Sequence, residues 1–360
     1  MIKLIKPYIC FEEIENEFKD IFSSGCFTKG KNVDLFIDEI KAYTNTNHAL
    51  LTTSATTALS VCLKILGVTT GDEVIVSDFS FPASANVIED LGAKPVFSDV
   101  DLETFNMLPE ELEKKITPKT KAVIFVDAFG SPTGIHEIKG LCTKNNIPLI
   151  DDAACAIGSS ENNIKSGNIA DLSCFSFHPR KLITTGEGGA ITTNNEKYHE
   201  KLQVKLNHGV AIKEGKFDFV DYGYNYRLAE LQCVMGIKQI RKLEKIISGR
   251  AMIRDQYIER LTNYGFIPQK IGNSVIHNVQ SLVFKVPDRV ERDGLILHLK
   301  KEDIEATIGT YCLSGTSYYR SKYNSVQKNA EVIENTAITF PCYDGIDVNY
   351  ICKIIKKYLC

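Results

Sequence analysis

At 360 residues the chain is long enough for one large α/β domain or two ordinary ones, with a core that needs no disulfide staples. Hydrophobic residues at 44% and charged residues at 24% sit near the globular average, which excludes disordered, collagen-like and membrane-bundle sequences. Lys+Arg 42 against Asp+Glu 45 leaves a net charge of −3, so no broad positive field gathers nucleic acid or an anionic membrane.

The opening Met1 to Pro7 breaks with charge and proline before any apolar core region forms, so no secretory leader is expected. Phe11–Ser23 and Val33–Tyr43 carry apolar residues at helical spacing and read as amphipathic helices. After Leu50-Leu51, the cluster Thr52-Thr53-Ser54 offers a hydroxyl N-cap to a helix marked by Ala58, Leu59, Cys62, Leu63 and Leu66, with Gly67 at its end. Short β-rich runs then alternate with helical stretches: 73–76, 95–97, 122–126, 148–150, 172–177 and 190–193. Several are continuously apolar, as strands covered by helices on both faces must be. The expected fold class is therefore α/β, a large domain with a mostly parallel central sheet flanked by helices. One long helix is expected from Leu228 to about Leu261. A small α+β domain follows, with strands at 281–286 and 305–309 and helices at 294–301 and 348–358. The division is placed at 1–245 and 246–360.

The 11 cysteines show no Cys-x-x-Cys pair, and the 7 histidines no His-Glu-x-x-His, so no metal site is expected. Unpaired thiols fit a reducing cytoplasm. No apolar run is long enough for a membrane span.

Four separated features carry chemistry. Ser54 to Leu59 opens a helix, where free N–H groups and the helix dipole favour a phosphate, although hydroxyl-capped helices are common. Asp151-Asp152-Ala153-Ala154-Cys155 ends a strand, where open α/β sheets bind ligands; a carboxylate there can equally be a helix cap. Ser176 to Lys181 followed by Thr184 to Gly189 places a lysine just beyond a strand, next to a glycine-dense turn that would let an amine move within a site. Gly223 to Arg227 precedes the long helix and alone reads as an ordinary turn.

Together these residues resemble the DegT/DnrJ/EryC1/StrS sugar aminotransferases, pyridoxal-phosphate (PLP) enzymes of fold type I. The resemblance runs nearly end to end through Ser24-Gly25 to Gly30, Gly71 to Val74, Phe79-Ser80-Phe81, Gly92 to Val96, Asp99-Val100-Asp101 and the four features above. It implies that Lys181 is the Schiff-base lysine and general base, and that Asp152 pairs with the pyridinium nitrogen. Phe81 would stack on the ring. Thr56, Thr57 and Ser176 would hold the phosphate, and Asn225 would reach the phosphate of a neighbouring subunit, making the protein a homodimer with shared sites. Cys155 stands beside the cofactor, as a weak donor to the ring oxygen or as a small apolar filler. The implied reaction is ping-pong transfer of an amino group, usually from L-glutamate, to a keto substrate. In most of the family that substrate is a nucleotide-linked keto-deoxyhexose for surface polysaccharide. A smaller ketone, such as a triose phosphate or keto-cyclitol, is the alternative substrate, and a PLP-binding regulator the alternative function.

Several positions depart from the common family pattern: Ala55 for glycine, Cys155 for glutamine or histidine, Asp127-Ala128-Phe129-Gly130 for His-Leu-Tyr-Gly, and Ser314 for a histidine closing Tyr311 to Leu313. Lys29 and Arg180 are candidate anion ligands, although such residues are more often solvated charges, and His178 either touches a substrate phosphate or packs beside Pro179. No Gly-x-Gly-x-x-Gly or P-loop supports a dinucleotide or nucleotide fold.

Overall fold

Continuous apolar runs become strands only where both faces are covered, and in a computed structural model describing residues 1–213 and 215–359 they form one seven-stranded sheet. Its strands are β1 (His48–Thr52), β2 (Glu73–Ser77), β3 (Lys94–Ser98), β4 (Thr120–Val126), β5 (Leu149–Asp152), β6 (Leu172–Ser176) and β7 (Gly189–Thr193). They lie in the order β1-β7-β6-β5-β4-β2-β3. The ladders joining β3, β2, β4, β5 and β6 are parallel, while β7 runs against both β6 and β1. The reversal follows from connection length, because the segment from Phe177 to Gly188 contains no crossover helix. Alternation along β4 shows the layering: Ala122 and Ile124 enter one apolar core, Val123 and Phe125 another on the opposite face.

Both N-terminal helices form, as Glu15–Ser24 and Lys31–Thr44. The second has no capping side chain of its own at Gly30. Glu230, buried and 200 positions away, accepts from the amides of Gly30 (2.9 Å), Asn32 (3.1 Å) and Val33 (3.0 Å) and from Asn32 Nδ2 (2.8 Å). A carboxylate thus satisfies the orphan donors of a helix start. Glu230→Ala is expected to destabilise the fold by about 3 kcal/mol, since it strands several buried donors at once. Chemical denaturation checks this; a loss within ordinary surface scatter would refute the capping role.

The helix expected from Leu228 to Leu261 is instead two, Glu230–Ile240 and Leu243–Leu261. Arg241 and Lys242 at the break turn toward Glu39 (Nε to Oε1, 2.7 Å) and Glu13 on the N-terminal helical segments. Apolar spacing is continuous across this point, so the break comes from tertiary ion pairs.

Beyond it a four-stranded antiparallel sheet takes the order Ile267–Pro268, Leu282–Lys285, Ala337–Phe340, Thr307–Ile308. The strand expected at 305–309 shrinks to two residues, while helices Arg292–Lys301 and Val348–Leu359 cover the sheet as expected. Several elements had no reading from the sequence, among them strand Ala337–Phe340, helices Ser317–Tyr323 and Lys328–Thr336, and the hairpin of Val210–Lys213 with Lys216–Phe219. Among the described residues no helix is long and apolar enough to cross a membrane.

Candidate active site

The C-terminal ends of β2, β4, β5 and β6 open onto one end of the sheet, where the start of β7 and the helix Ala55–Ile65 also converge. A cavity of about 380 Å³ lies there, and Thr56, Phe81, Asp152, Cys155, Ser176 and Lys181 all line it. Residues from four distant stretches of chain are therefore brought together where open α/β sheets bind ligands.

Lys181 sits on the excursion between β6 and β7. Its base is closed by Phe177 N–H to Gly188 O and Thr185 N–H to Phe177 O, both 2.9 Å. Fully buried Gln239 clamps its middle, accepting from Thr184 N–H (3.1 Å) and donating to Thr184 O (2.6 Å). The loop is pinned while the half-buried lysine side chain projects into the cavity, its Nζ donating to Cys155 Sγ at 3.0 Å. Such an arrangement fixes the backbone and leaves the amine mobile.

Asp152, 6% exposed, ends β5. Its Oδ2 accepts from Ser84 Oγ at 2.6 Å, and Ser84 in turn pairs with Ser80 at 2.9 Å; its Oδ1 accepts from Ala154 N–H at 3.3 Å. Burial pushes the carboxyl above the ordinary carboxylate range, opposed by the Ser84 hydrogen bond and the Lys181 charge. A buried carboxylate facing a cavity calls for a cation there. Asp151 occupies the alternate face of β5, where burial and then Asp152 push it up to about 8. Asp127, at the end of β4, is likewise held well above its usual range by burial and then by Asp151, with Ser166 Oγ donating to it at 3.0 Å. Burial thus disfavours the charged form of both carboxyls behind Asp152.

At the opposite side of the cavity, Ser54 caps the helix, accepting from Thr57 N–H at 3.1 Å, and Thr56 is exposed to the cavity. Thr57 is turned away from this role: its hydroxyl accepts from Ser54 N–H (3.1 Å) and donates to Ser54 O (2.9 Å). Its neighbour across the sheet must be bare. A Cβ at Gly189 would lie 2.5 Å from Ser54 C and 2.7 Å from Ala55 N.

Phe81 is 67% exposed at the cavity, a phenyl face without a packing partner of core type. It follows Phe79–Ser80, which pairs with Tyr311–Cys312. Asp78 locks that pairing: it accepts from Ser314 N–H (2.7 Å), Ser314 Oγ (2.6 Å) and Cys312 Sγ (3.2 Å). The departure at Ser314 is thus a buried hydroxyl matched to Asp78. Burial is the main cause pushing Asp78 up to about 6, with Asp99 adding to it and the Ser314 and Cys312 hydrogen bonds opposing. Below about pH 4 both folded and unfolded states hold this proton, and between about 4 and 6 only the folded state does. This group's contribution to stability therefore falls as pH rises through that window. Asp78→Asn is expected to remove that component, so the stability difference between wild type and variant shifts against wild type from pH 5 to 7 in urea titrations. A pH-independent difference would refute it.

Asn225 and Lys29 are not brought to Lys181. Exposed Asn225 pairs with Asn207, whose Oδ1 accepts from Lys29 Nζ (3.1 Å) and Arg227 (2.9 Å) beside a second cleft. His178 and Arg180 do line the Lys181 cavity. Sequence reasoning missed Ser84, Arg250, Thr310 and the N-terminal Leu4 and Ile5, which also line it. Leu4 and Ile5 arrive there because residues Ile2 and Leu4 bond to Asp303 and Glu305; no local pattern signals such long-range pairing.

The model of the DegT/DnrJ/EryC1/StrS aminotransferase family matches residues 9–358. The chain belongs to that family. A GDP-perosamine synthase from Vibrio cholerae is 33% identical with 99% of both chains covered. A UDP-4-amino-4,6-dideoxy-N-acetyl-beta-L-altrosamine transaminase from Campylobacter jejuni is 32% identical over 92% of this chain and 90% of its own. Among solved structures, Helicobacter pylori PseC, an aminotransferase involved in the biosynthesis of pseudoaminic acid, superposes with TM-score 0.93 at 27% identity, covering 99% of each chain. The sugar aminotransferase Spr1654 of Streptococcus pneumoniae in its PMP-form gives 0.92 at 27% identity, covering 99% of this chain and 97% of that one. The protein is a PLP-dependent transaminase of fold type I, taking an amino donor and a keto substrate. The residues present fit that cofactor: a buried carboxylate needing a cation, a mobile amine, a bare phenyl face and a helix start share one cavity.

Proposed function

We propose that this aminotransferase moves an amino group from L-glutamate to a nucleotide-linked keto-deoxyhexose for surface polysaccharide biosynthesis. The observation that carries the reading is the placement of Lys181 and Asp152 on one cavity, close enough for the lysine charge to act on the carboxyl. The names of the Vibrio and Campylobacter relatives specify GDP- and UDP-linked amino sugars, which supports the nucleotide-linked class.

When bound, PLP supplies an electron sink for the pair left by a breaking C–H bond. Asp152 would hold positive charge at the ring nitrogen, its two oxygens fixed by Ser84 Oγ and Ala154 N–H. Lys181 would anchor the cofactor, and its amine is the group that would take and return a proton there as general base and acid. Phe81 would cover a ring face, while Thr56 at the helix start and Ser176 at the end of β6 would form the anion end, with the Thr57 hydroxyl spent on the Ser54 cap. Cys155 lies beside the lysine as a small, polarisable wall.

The reading includes a homodimer. Exposed Asn225 does not line its own cavity, and the hairpin after β7 exposes Ile212, Phe217 and Phe219, with Phe217 80% accessible. Both features suit a second copy completing the site. The division into 1–245 and 246–360 belongs to the same proposal, supported by an apolar core that draws its buried residues from Ile253 onward. A cytoplasmic location accords with cysteines that are free throughout the described residues.

The test is a screen of ketone acceptors against the pyridoxamine form prepared with glutamate. Rapid reoxidation by GDP- or UDP-linked 4-keto-6-deoxyhexoses is expected. Turnover confined to a triose phosphate or a keto-cyclitol would overturn the nucleotide-sugar assignment.

A further inference from the structure

A second group of chemically competent side chains lies outside the catalytic cavity. His48 opens β1 at the end opposite Ser54, about 13 Å along the strand. Glu196 and His199 stand three residues apart in the first turn of the helix Glu196–Leu206, so they share one face. His48 Nε2 lies 3.0 Å from Glu196 Oε2, and the rings of His48 and His199 stack with centroids 4.2 Å apart. One ligating atom from each of the three falls within 4.8 Å of the others. His199 Nδ1 is buried with no hydrogen-bond partner, an unusual state for an imidazole nitrogen.

We infer that His48, Glu196 and His199 form a binding site for a late first-row divalent cation, with zinc as the ion it takes. Two imidazoles and one carboxylate are a zinc donor set that leaves a fourth position for water, whereas magnesium and calcium select oxygen-only shells. The cation-free rings stack, so binding turns them about χ2 until both nitrogens face one point. The backbone need not move, because the ligands stand on a strand and a helix. Bound there, zinc would clip the edge strand β1 to a helix some 150 positions later in the chain and take no part in the transamination.

The experiment uses PLP-loaded protein, freed of metal with a chelator and titrated with zinc chloride against a chromophoric competitor. One equivalent is expected to bind and to raise the melting temperature. In the double variant His48→Ala/His199→Ala, affinity falls at least tenfold while the glutamate half-reaction keeps its rate. Glu196→Gln, at an exposed carboxylate that the fold does not need, is expected to weaken binding in the same direction and guards against a misfolded double variant. Absence of uptake by the wild type overturns the proposal. So does unchanged uptake in the variants, which would assign the zinc to thiols such as exposed Cys10 and Cys26.

Discussion

Lys181→Ala is expected to fold normally and to lose the glutamate half-reaction by at least about a thousandfold, the scale of a group that combines covalent anchoring with proton transfer. The fold is spared because the loop carrying this residue is held by bonds that do not use its side chain: Phe177 with Gly188, Thr185 with Phe177, and Gln239 with both polar atoms of Thr184. The side chain itself makes one hydrogen bond, to Cys155 Sγ, and its charge acts on the buried Asp152 carboxylate. Its removal should therefore change stability by about 1 kcal/mol, too little to unfold the domain. Single-turnover absorbance with excess glutamate reads the rate, and urea titration reads the stability. In the wild type, borohydride should fix the cofactor to the peptide containing Lys181. Recovery of that label on another lysine, or a variant that retains the half-reaction, would remove Lys181 from its assigned role.

Asp152→Asn is the second large effect, a fall of about a hundredfold to a thousandfold in the same half-reaction, as when one preorganised electrostatic partner is lost from a water-poor site. The substitution keeps the shape and keeps an acceptor for Ser84 Oγ, so packing is not the variable. What disappears is the negative charge. Burial raises this carboxyl, so in cofactor-free protein its ionised form is a cost to the fold above the folded-state pKa, and stability falls as pH rises toward that value. A cationic ring nitrogen reverses the sign by favouring the carboxylate. PLP should thus raise the melting temperature more in the wild type than in Asp152→Asn. Cofactor affinity should weaken more steeply on acidification where residue 152 can take a proton. Equal thermal shifts in the two proteins would show that the buried carboxylate does not serve the ring.

Much of this was legible in the residues because burial on both sides of a sheet leaves a compositional trace. β4, Thr120–Val126, is apolar at consecutive positions, and its side chains do alternate between two cores. The residues gathered around Lys181 were found through motifs at strand ends and helix starts, where local chain geometry and function coincide. What escaped was set by distance. Glu230 caps a helix some 200 positions earlier, Ser84 orients Asp152, and Asp78 holds Ser314; none of these pairings has a period or a spacing. The break at Arg241 and Lys242 escaped for the same reason, since the acids that draw the two cations aside lie on the N-terminal helical segments. Strand Ala337–Phe340 was overlooked because four residues give too short a pattern to separate a strand from a helix turn.

The bare contact at Gly189 divides the catalytic pocket into a fixed wall and a variable one. Backbone lies against backbone between Gly189 and Ser54-Ala55, with no side chain between them to lengthen or shorten. The spacing between the anion end and the lysine loop is consequently as invariant as the sheet ladder that sets it. Adaptation to a different ketone has to come from the facing wall, where Thr307, Thr310 and Gln280 reach the cavity from the C-terminal segments. A library aimed at acceptor range should be confined to those three positions and leave 176–189 untouched, because diversity on the rigid side would first cost the protein its cofactor.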